Sequence, residues 1–201
     1  MPAAALAEKK IRLFSDAELI AKAIGGHESG FEELVRRYQK PITGYVFRIV
    51  GEYESSLDVT QEVFIKVYNS LHRYSSEYKF STWLYRIAHN AAIDHLRRNS
   101  INAQSLETEN VDGAYQIQIE SPARSPEQDR EIREWRTEIG QAVKLLPDPY
   151  KQLILLRHAN DLSYDEIAEV TGLPLGTVKN RLFRAREAMR QIMIERGFDG
   201  I

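Results

Sequence analysis

LSYDEIAEVTGLPLGTVKNRLFRAREAMR, residues 162–190, decides the fold of this chain. Ser163 followed three residues later by Glu166 is a capping box. Ile167, Ala168 and Val170 then supply a short inward face. Thr171-Gly172-Leu173 reads as a tight turn whose glycine is free to take positive φ. Beyond Pro174 a second helix buries Val178, Leu182 and Ala185. Two short helices about a glycine turn make a helix-turn-helix, in which the second helix enters the major groove. Lys179, Asn180, Phe183 and Arg184 lie off the buried stripe. Lysine and arginine donate to guanine O6 and N7, asparagine pairs with adenine, and phenylalanine meets a thymine methyl. Thr177, Arg181 and Arg186 suit phosphates. The competing reading is a basic amphipathic helix on a solvated face. The cap, the turn glycine and the cationic outer face, in that order, favour DNA.

Helical spacing extends outward from this motif. Ser125-Pro126-Glu127 is a helix start, with proline in the first turn. Trp135, Ile139, Ala142, Val143 and Leu146 form its apolar stripe, and a further helix over Pro147–His158 is built around Leu153, Ile154 and Leu156. In the N-terminal half, Ser15 and Glu18 form a capping box ahead of Leu19, Ile20, Ala23 and Ile24, and Gly25-Gly26 stops that helix. Phe31, Leu34, Val35 and Tyr38 carry the next stripe. It resumes after Pro41 with Ile42, Tyr45, Val46 and Ile49, ending at Gly51. A third helix runs from about Ser56 to Leu71, with Val63, Phe64, Val67, Tyr68 and Leu71 inward. A fourth runs from about Ser81 to Arg98, where Trp83, Ile87 and Ala91 share a face. Strand alternation is nearly absent.

Between the halves, residues 99–126 are polar, hold Gly113, Pro122 and Pro126, and show no helical stripe, apart from a short patch at Tyr115–Ile119 that could order. They read as a flexible linker. The expectation is an all-α chain of two small helical domains: a tail over 1–13, a first domain over 14–100, a linker over 101–126 and a second domain over 127–201.

The 201 residues carry a net charge of −2, so the chain as a whole does not announce a polyanion partner. Its distribution does. Residues 174–196 hold six bases against two acids, and 79–98 hold four against one, whereas 104–135 hold eight acids against three arginines. Two basic patches flank an acidic stretch, and a phosphate backbone could meet both. There are no cysteines, which removes disulfides and thiolate zinc sites. No apolar run approaches the ~18 residues of a membrane span. A cytoplasmic protein is expected, without direct membrane insertion.

SSLDVTQEVFIKVYNSL (55–71) and FSTWLYRIAHNAAIDHLRR (80–98), followed by the helix-turn-helix, together resemble the extracytoplasmic-function sigma factors of bacterial RNA polymerase, over most of residues 14–100 and 127–195. The resemblance implies that the first domain is sigma region 2 and the second, with the helix-turn-helix, is sigma region 4. By the resemblance, Asp58, Gln61, Glu62 and Phe64 dock on the clamp helices of the β′ subunit. The competing reading makes Asp58 a helix N-terminal charge, pairs Glu62 with Lys66, and puts Phe64 in the core. The resemblance also implies that the loop Tyr74–Phe80 and the helix after it open the −10 promoter element and capture the exposed strand. Tyr78, Phe80 and Tyr85 would stack on bases, and Lys79, Arg86, Asn90, Arg97 and Arg98 would make polar contacts; Trp83 is assigned to the core. The recognition helix would read the −35 element, with region 4 on the β flap. Such factors direct core polymerase to specific promoters in stress responses. They are often held inactive by an anti-sigma factor, commonly at the inner face of the membrane.

No catalytic role is expected. His89, Asp94, His95 and His72 look like pieces of a metal-dependent phosphohydrolase, but the five-residue step from His89 to Asp94 does not share a helix face well, and neither a metal nor any other cofactor is expected. A free-standing regulator with a helical sensor domain is the rival DNA-binding reading. It would bind duplex DNA tightly without polymerase.

Overall fold

The structure, a computed structural model, describes residues 11–103 and 126–198; the linker expected over 101–126, with its patch at 115–119, and the tail's first ten residues lie outside these but for the helix ends. All regular structure in the described residues is helical: α1 Asp16–Ile24, α2 Glu28–Val50, α3 Tyr53–Ser70, α4 Phe80–Ala103, α5 Pro126–Leu145, α6 Asp148–Ile154, α7 Tyr164–Thr171 and α8 Leu175–Glu195. They fall into two compact units. One holds the residues up to 103 together with 165–172, and the other holds 126–164 together with 173–198.

In the first unit α1 begins as its sequence dictates. The Ser15 N–H donates to Glu18 Oε2 at 2.6 Å, and the Glu18 N–H donates to Ser15 Oγ at 3.4 Å. This reciprocal cap satisfies two of the orphan donors of a helix start. Leu19, Leu34, Ile42, Tyr45, Val46, Val59, Val63, Val67, Leu84, Ala88 and Ala92 are each at most 1% exposed and form the core of α1–α4. Each large side chain among them contributes about 1.5–3 kcal/mol through removal from water. A charged tie closes the α1–α2 corner. Glu33, nearly buried on α2, accepts from Arg36 Nε at 2.6 Å and Arg37 Nε at 3.0 Å. Arg37 also donates to Asp16 at 2.9 Å and to the carbonyls of Arg12 and Phe14. Hydrogen bonding from Arg36 first, and from Arg37, holds the Glu33 carboxyl below its ordinary range.

Two local expectations are corrected. Pro41 does not divide the second element, because α2 runs continuously through it. Proline removes one helical donor, but Leu34 on one side and Ile42, Tyr45, Val46 and Ile49 on the other are buried on one inner face. That packing outweighs the local break. The helix expected over 147–158 is α6 followed by a π-helical turn, Leu155–Ala159. The Asn160 and Leu162 N–H groups donate to the carbonyls of Leu155 and Leu156 at 3.2 and 3.1 Å, and Asp161 takes φ 54°. The Arg157 guanidinium donates to the Leu162 carbonyl at 3.0 Å and braces this exit.

The second unit packs α5 and α6 against α8. Ala142, Leu146, Leu153, Leu156, Val178, Leu182, Ala185 and Met193 are each at most 2% exposed. Trp135 rests on Phe198 with ring centres 5.2 Å apart, and Arg196 Nε donates to Glu138 at 2.8 Å. These contacts tie the end of α8 to α5.

Candidate nucleic-acid interface

Helix α8 owes its start to Pro174, whose φ of −56° and ψ of 141° set the chain direction; the Thr177 and Val178 N–H groups donate to its carbonyl at 2.8 and 3.1 Å. Gly172, at φ 70°, occupies the left-handed region that the turn requires. With Val178, Leu182 and Ala185 buried, Lys179, Asn180, Phe183, Arg184 and Arg186 are exposed and Thr177 and Arg181 half-buried. Phe183 is 64% exposed, a large apolar ring among cations with no core role. Among the described residues Lys179, Arg181 and Arg184 make no ion pair, so their charge is available to a polyanion. Arg186 donates to the Tyr164 hydroxyl, and the Arg157 guanidinium lies 5.7 Å from the Tyr164 ring centre. Burial first, then Arg186 and Arg157, depresses the pKa of His158. Arg157 lies in the π turn and Tyr164 opens α7; their meeting with Arg186 depends on how these elements and α8 are placed, which helical periodicity does not encode.

The aromatic stretch ahead of α4 divides. Tyr78 is 42% exposed and Lys79, Arg86, Asn90, Arg97 and Arg98 are all exposed. Phe80 and Tyr85 are not: they are 3% and 5% exposed. Phe80 sits against Tyr38, Tyr74 and Trp83 at 5.5, 5.7 and 5.9 Å, and Tyr85 meets Tyr45 edge-on at 5.4 Å. Their rings cannot stack on bases without opening the core, so both leave the candidate set. Burial raises the Tyr85 phenol above its ordinary range and keeps it neutral. The inward stripe of α4 is Phe80, Leu84, Ala88 and Ala91 with Ala92; Trp83 and Ile87 are half-buried beside it. His89 lies in the core with Nδ1 2.9 Å from the Tyr45 hydroxyl.

Several of these cations have acidic partners. Lys79 Nζ lies 3.3 Å from Glu166, and Arg86 pairs with Glu169, both acids belonging to the same unit. Arg97 pairs with Asp94 at 3.0 Å and Arg98 with Glu62 at 3.8 Å. The Arg97–Asp94 and Arg98–Glu62 pairs are exposed on both sides; such pairs are worth about 0–1 kcal/mol, so a phosphate can displace them.

On α3, Asp58, Gln61 and Glu62 are exposed. Glu62 also lies 3.9 Å from Lys66, the i, i+4 pair expected from the sequence. Phe64 is 8% exposed and faces the core, so it does not reach a partner. Ile65 and Tyr68 are 62% and 56% exposed instead, which corrects the inward assignment of Tyr68; its ring meets Phe31 edge-on at 4.9 Å. Helical spacing from Asp58 through Gln61 and Glu62 reaches Ile65 and Tyr68. That spacing was the available signal for an apolar element on this acidic face.

Comparison with known proteins gives the same division of the chain. Residues 34–101 match the Sigma-70 region 2 family and 136–189 match the Sigma-70 region 4 family. The RNA polymerase sigma-H factor of Pseudomonas aeruginosa is 38% identical over 180 residues, 87% of this chain and 91% of that protein. The ECF RNA polymerase sigma factor SigW of Bacillus subtilis is 35% identical over 83% of this chain and 90% of its own, and the ECF RNA polymerase sigma-E factor of Escherichia coli K12 is 36% identical over 87% and 92%. Among solved structures, the sigma factor RpoE of Bartonella quintana, in complex with the anti-sigma factor NepR, shares the fold at TM-score 0.66 and 17% identity over 81% of this chain and 96% of that one. With an exposed cationic recognition helix and matches to both regions, this chain belongs to the extracytoplasmic-function sigma factors, the promoter-specificity subunits of RNA polymerase, and acts in transcription initiation rather than as an enzyme.

Proposed function

We propose a residue-level division of labour for this sigma factor. Asp58, Gln61 and Glu62 dock on the β′ clamp helices, with Ile65 and Tyr68 adding the apolar contact. Tyr78, Lys79, Arg86, Asn90, Arg97 and Arg98 engage the opened −10 strand. One exposed base stacked on Tyr78 is worth about 1–3 kcal/mol. Lys179, Asn180, Phe183 and Arg184 read the −35 element while Thr177, Arg181 and Arg186 hold its phosphates, and region 4 rests on the β flap. An anti-sigma factor restrains the protein in the cytoplasm or at the inner face of the membrane, a reading supported by structural relatives such as RpoE that are seen with such partners.

The observation that carries this reading is the cationic face of α8 around the exposed Phe183, where Lys179, Arg181 and Arg184 make no ion pair among the described residues. Its test is binding to duplex promoter DNA with and without core polymerase. Specific retention should be feeble for the protein alone and strong once core enzyme is added. Tight specific binding without core would favour a free-standing regulator instead.

A further inference from the structure

Tyr150 lies outside the helix-turn-helix, on the first turn of α6, and neither its residue type nor its spacing marks it in the sequence as a DNA contact. In the structure it forms one wall of an open groove of ≈ 330 Å³ whose other lining residues are Gly176, Thr177, Asn180, Arg181 and Arg184 of α8. These five fall at i, i+1, i+4, i+5 and i+8, one side of the recognition helix. The groove therefore borders the surface that the proposed function turns towards DNA. Its lining supplies two guanidiniums, a threonine hydroxyl and a carboxamide, and no carboxylate.

Tyr150 is half-buried, and its hydroxyl has no partner among the described residues. Arg181 and Arg184 likewise make no ion pair there. A chemically matched occupant is anionic, with several acceptor oxygens and room for donors from two directions: a backbone phosphate of duplex DNA. The phenol fits this role as a neutral donor on a ring fixed by two torsions, so little freedom is lost when the bond forms. We propose that Tyr150 is a DNA-contacting residue of region 4, donating its hydroxyl to a backbone phosphate that Thr177 and Arg181 approach from the other side of the groove. The proposal rests on the reading of α8 as the −35 recognition helix.

The test compares wild type, Tyr150→Phe and Arg181→Ala, each assembled with core polymerase and titrated with promoter duplexes across a range of salt. Tyr150→Phe keeps the ring and removes only the donor, and its melting temperature checks that the fold is intact. It should weaken retention about tenfold, as for one hydrogen bond to a charged group. The loss should be the same for every promoter sequence, with the salt slope unchanged, because a neutral donor releases no counterion. Arg181→Ala should weaken binding and lower the salt slope by about one. Retention of Tyr150→Phe equal to wild type would overturn the proposal, and so would a loss confined to one base position. If wild-type holoenzyme itself selects no promoter, the −35 reading fails first, and the role of Tyr150 falls with it.

Discussion

Single residues in the first unit show how closely its packing is set. Gly30 sits where α2 crosses α1, and an added Cβ would lie 2.5 Å from the Leu19 carbonyl oxygen and 3.0 Å from the Ala23 nitrogen. Both neighbours are backbone and cannot swing aside. Gly30→Ala should cost about 1–3 kcal/mol of stability, as overpacking does. Gly44→Ala, which meets only Arg48 Nη1 at 3.7 Å, should be neutral or stabilising by up to about 1 kcal/mol. Thermal unfolding of the two variants checks the contrast. Buried His89 makes a pH prediction. Burial depresses its pKa from 6.5 to about 4, so between those values the unfolded chain binds a proton that the folded chain refuses. The stability contributed by neutral His89 is complete above about pH 6.5 and is lost progressively as the pH falls to about 4. Denaturant titrations should show that slope in the wild type and a shallower one in His89→Gln. Equal slopes would remove His89 as the cause.

At the scale of elements, α3 and α4 show where sequence periodicity is informative and where it slips. The existence, order and ends of most helices were legible, and α7 begins and ends where its motif places it. The capping box at Ser15 and the left-handed turn at Gly172 were legible too, because both follow from local chemistry. Which aromatic faces inward was not. Phe64 and Ile65, or Trp83 and Leu84, differ by a single 100° step. Either could satisfy a loose stripe, and contacts with distant residues such as Tyr38 and Tyr45 settle the choice. The two faces of α3 now make opposite predictions. Phe64→Ala should lower stability by about 3 kcal/mol through cavity formation, seen as a drop in melting temperature. Ile65→Asp should leave the melting temperature nearly unchanged and weaken co-purification with core polymerase. Asp58→Arg with Glu62→Arg should abolish that co-purification. Unchanged association of both surface variants would exclude this face as the docking surface.

Over the whole molecule, the near-neutral net charge conceals a separation on which the proposed promoter contacts rest. The cationic face of α8 and the cations of α4 belong to different regions of the chain, so each can meet its own promoter element. Two weak readers on one chain gain specificity by joint engagement, and neither needs to bind tightly alone. The sequence made this division legible through its charge distribution and the motifs carried in order, whereas Tyr150 and the Arg157–Tyr164–Arg186 cluster emerge only from how α6, the π turn and α8 are placed. The most direct test of the central claim is run-off transcription by core polymerase from a library of randomised promoters, with wild type, Lys179→Ala and Arg184→Ala. The account predicts transcripts from a narrow set of promoters sharing two boxes at fixed spacing, with both variants losing that selection while still binding core enzyme. Transcripts without sequence preference, or variants that select as wild type does, would contradict it.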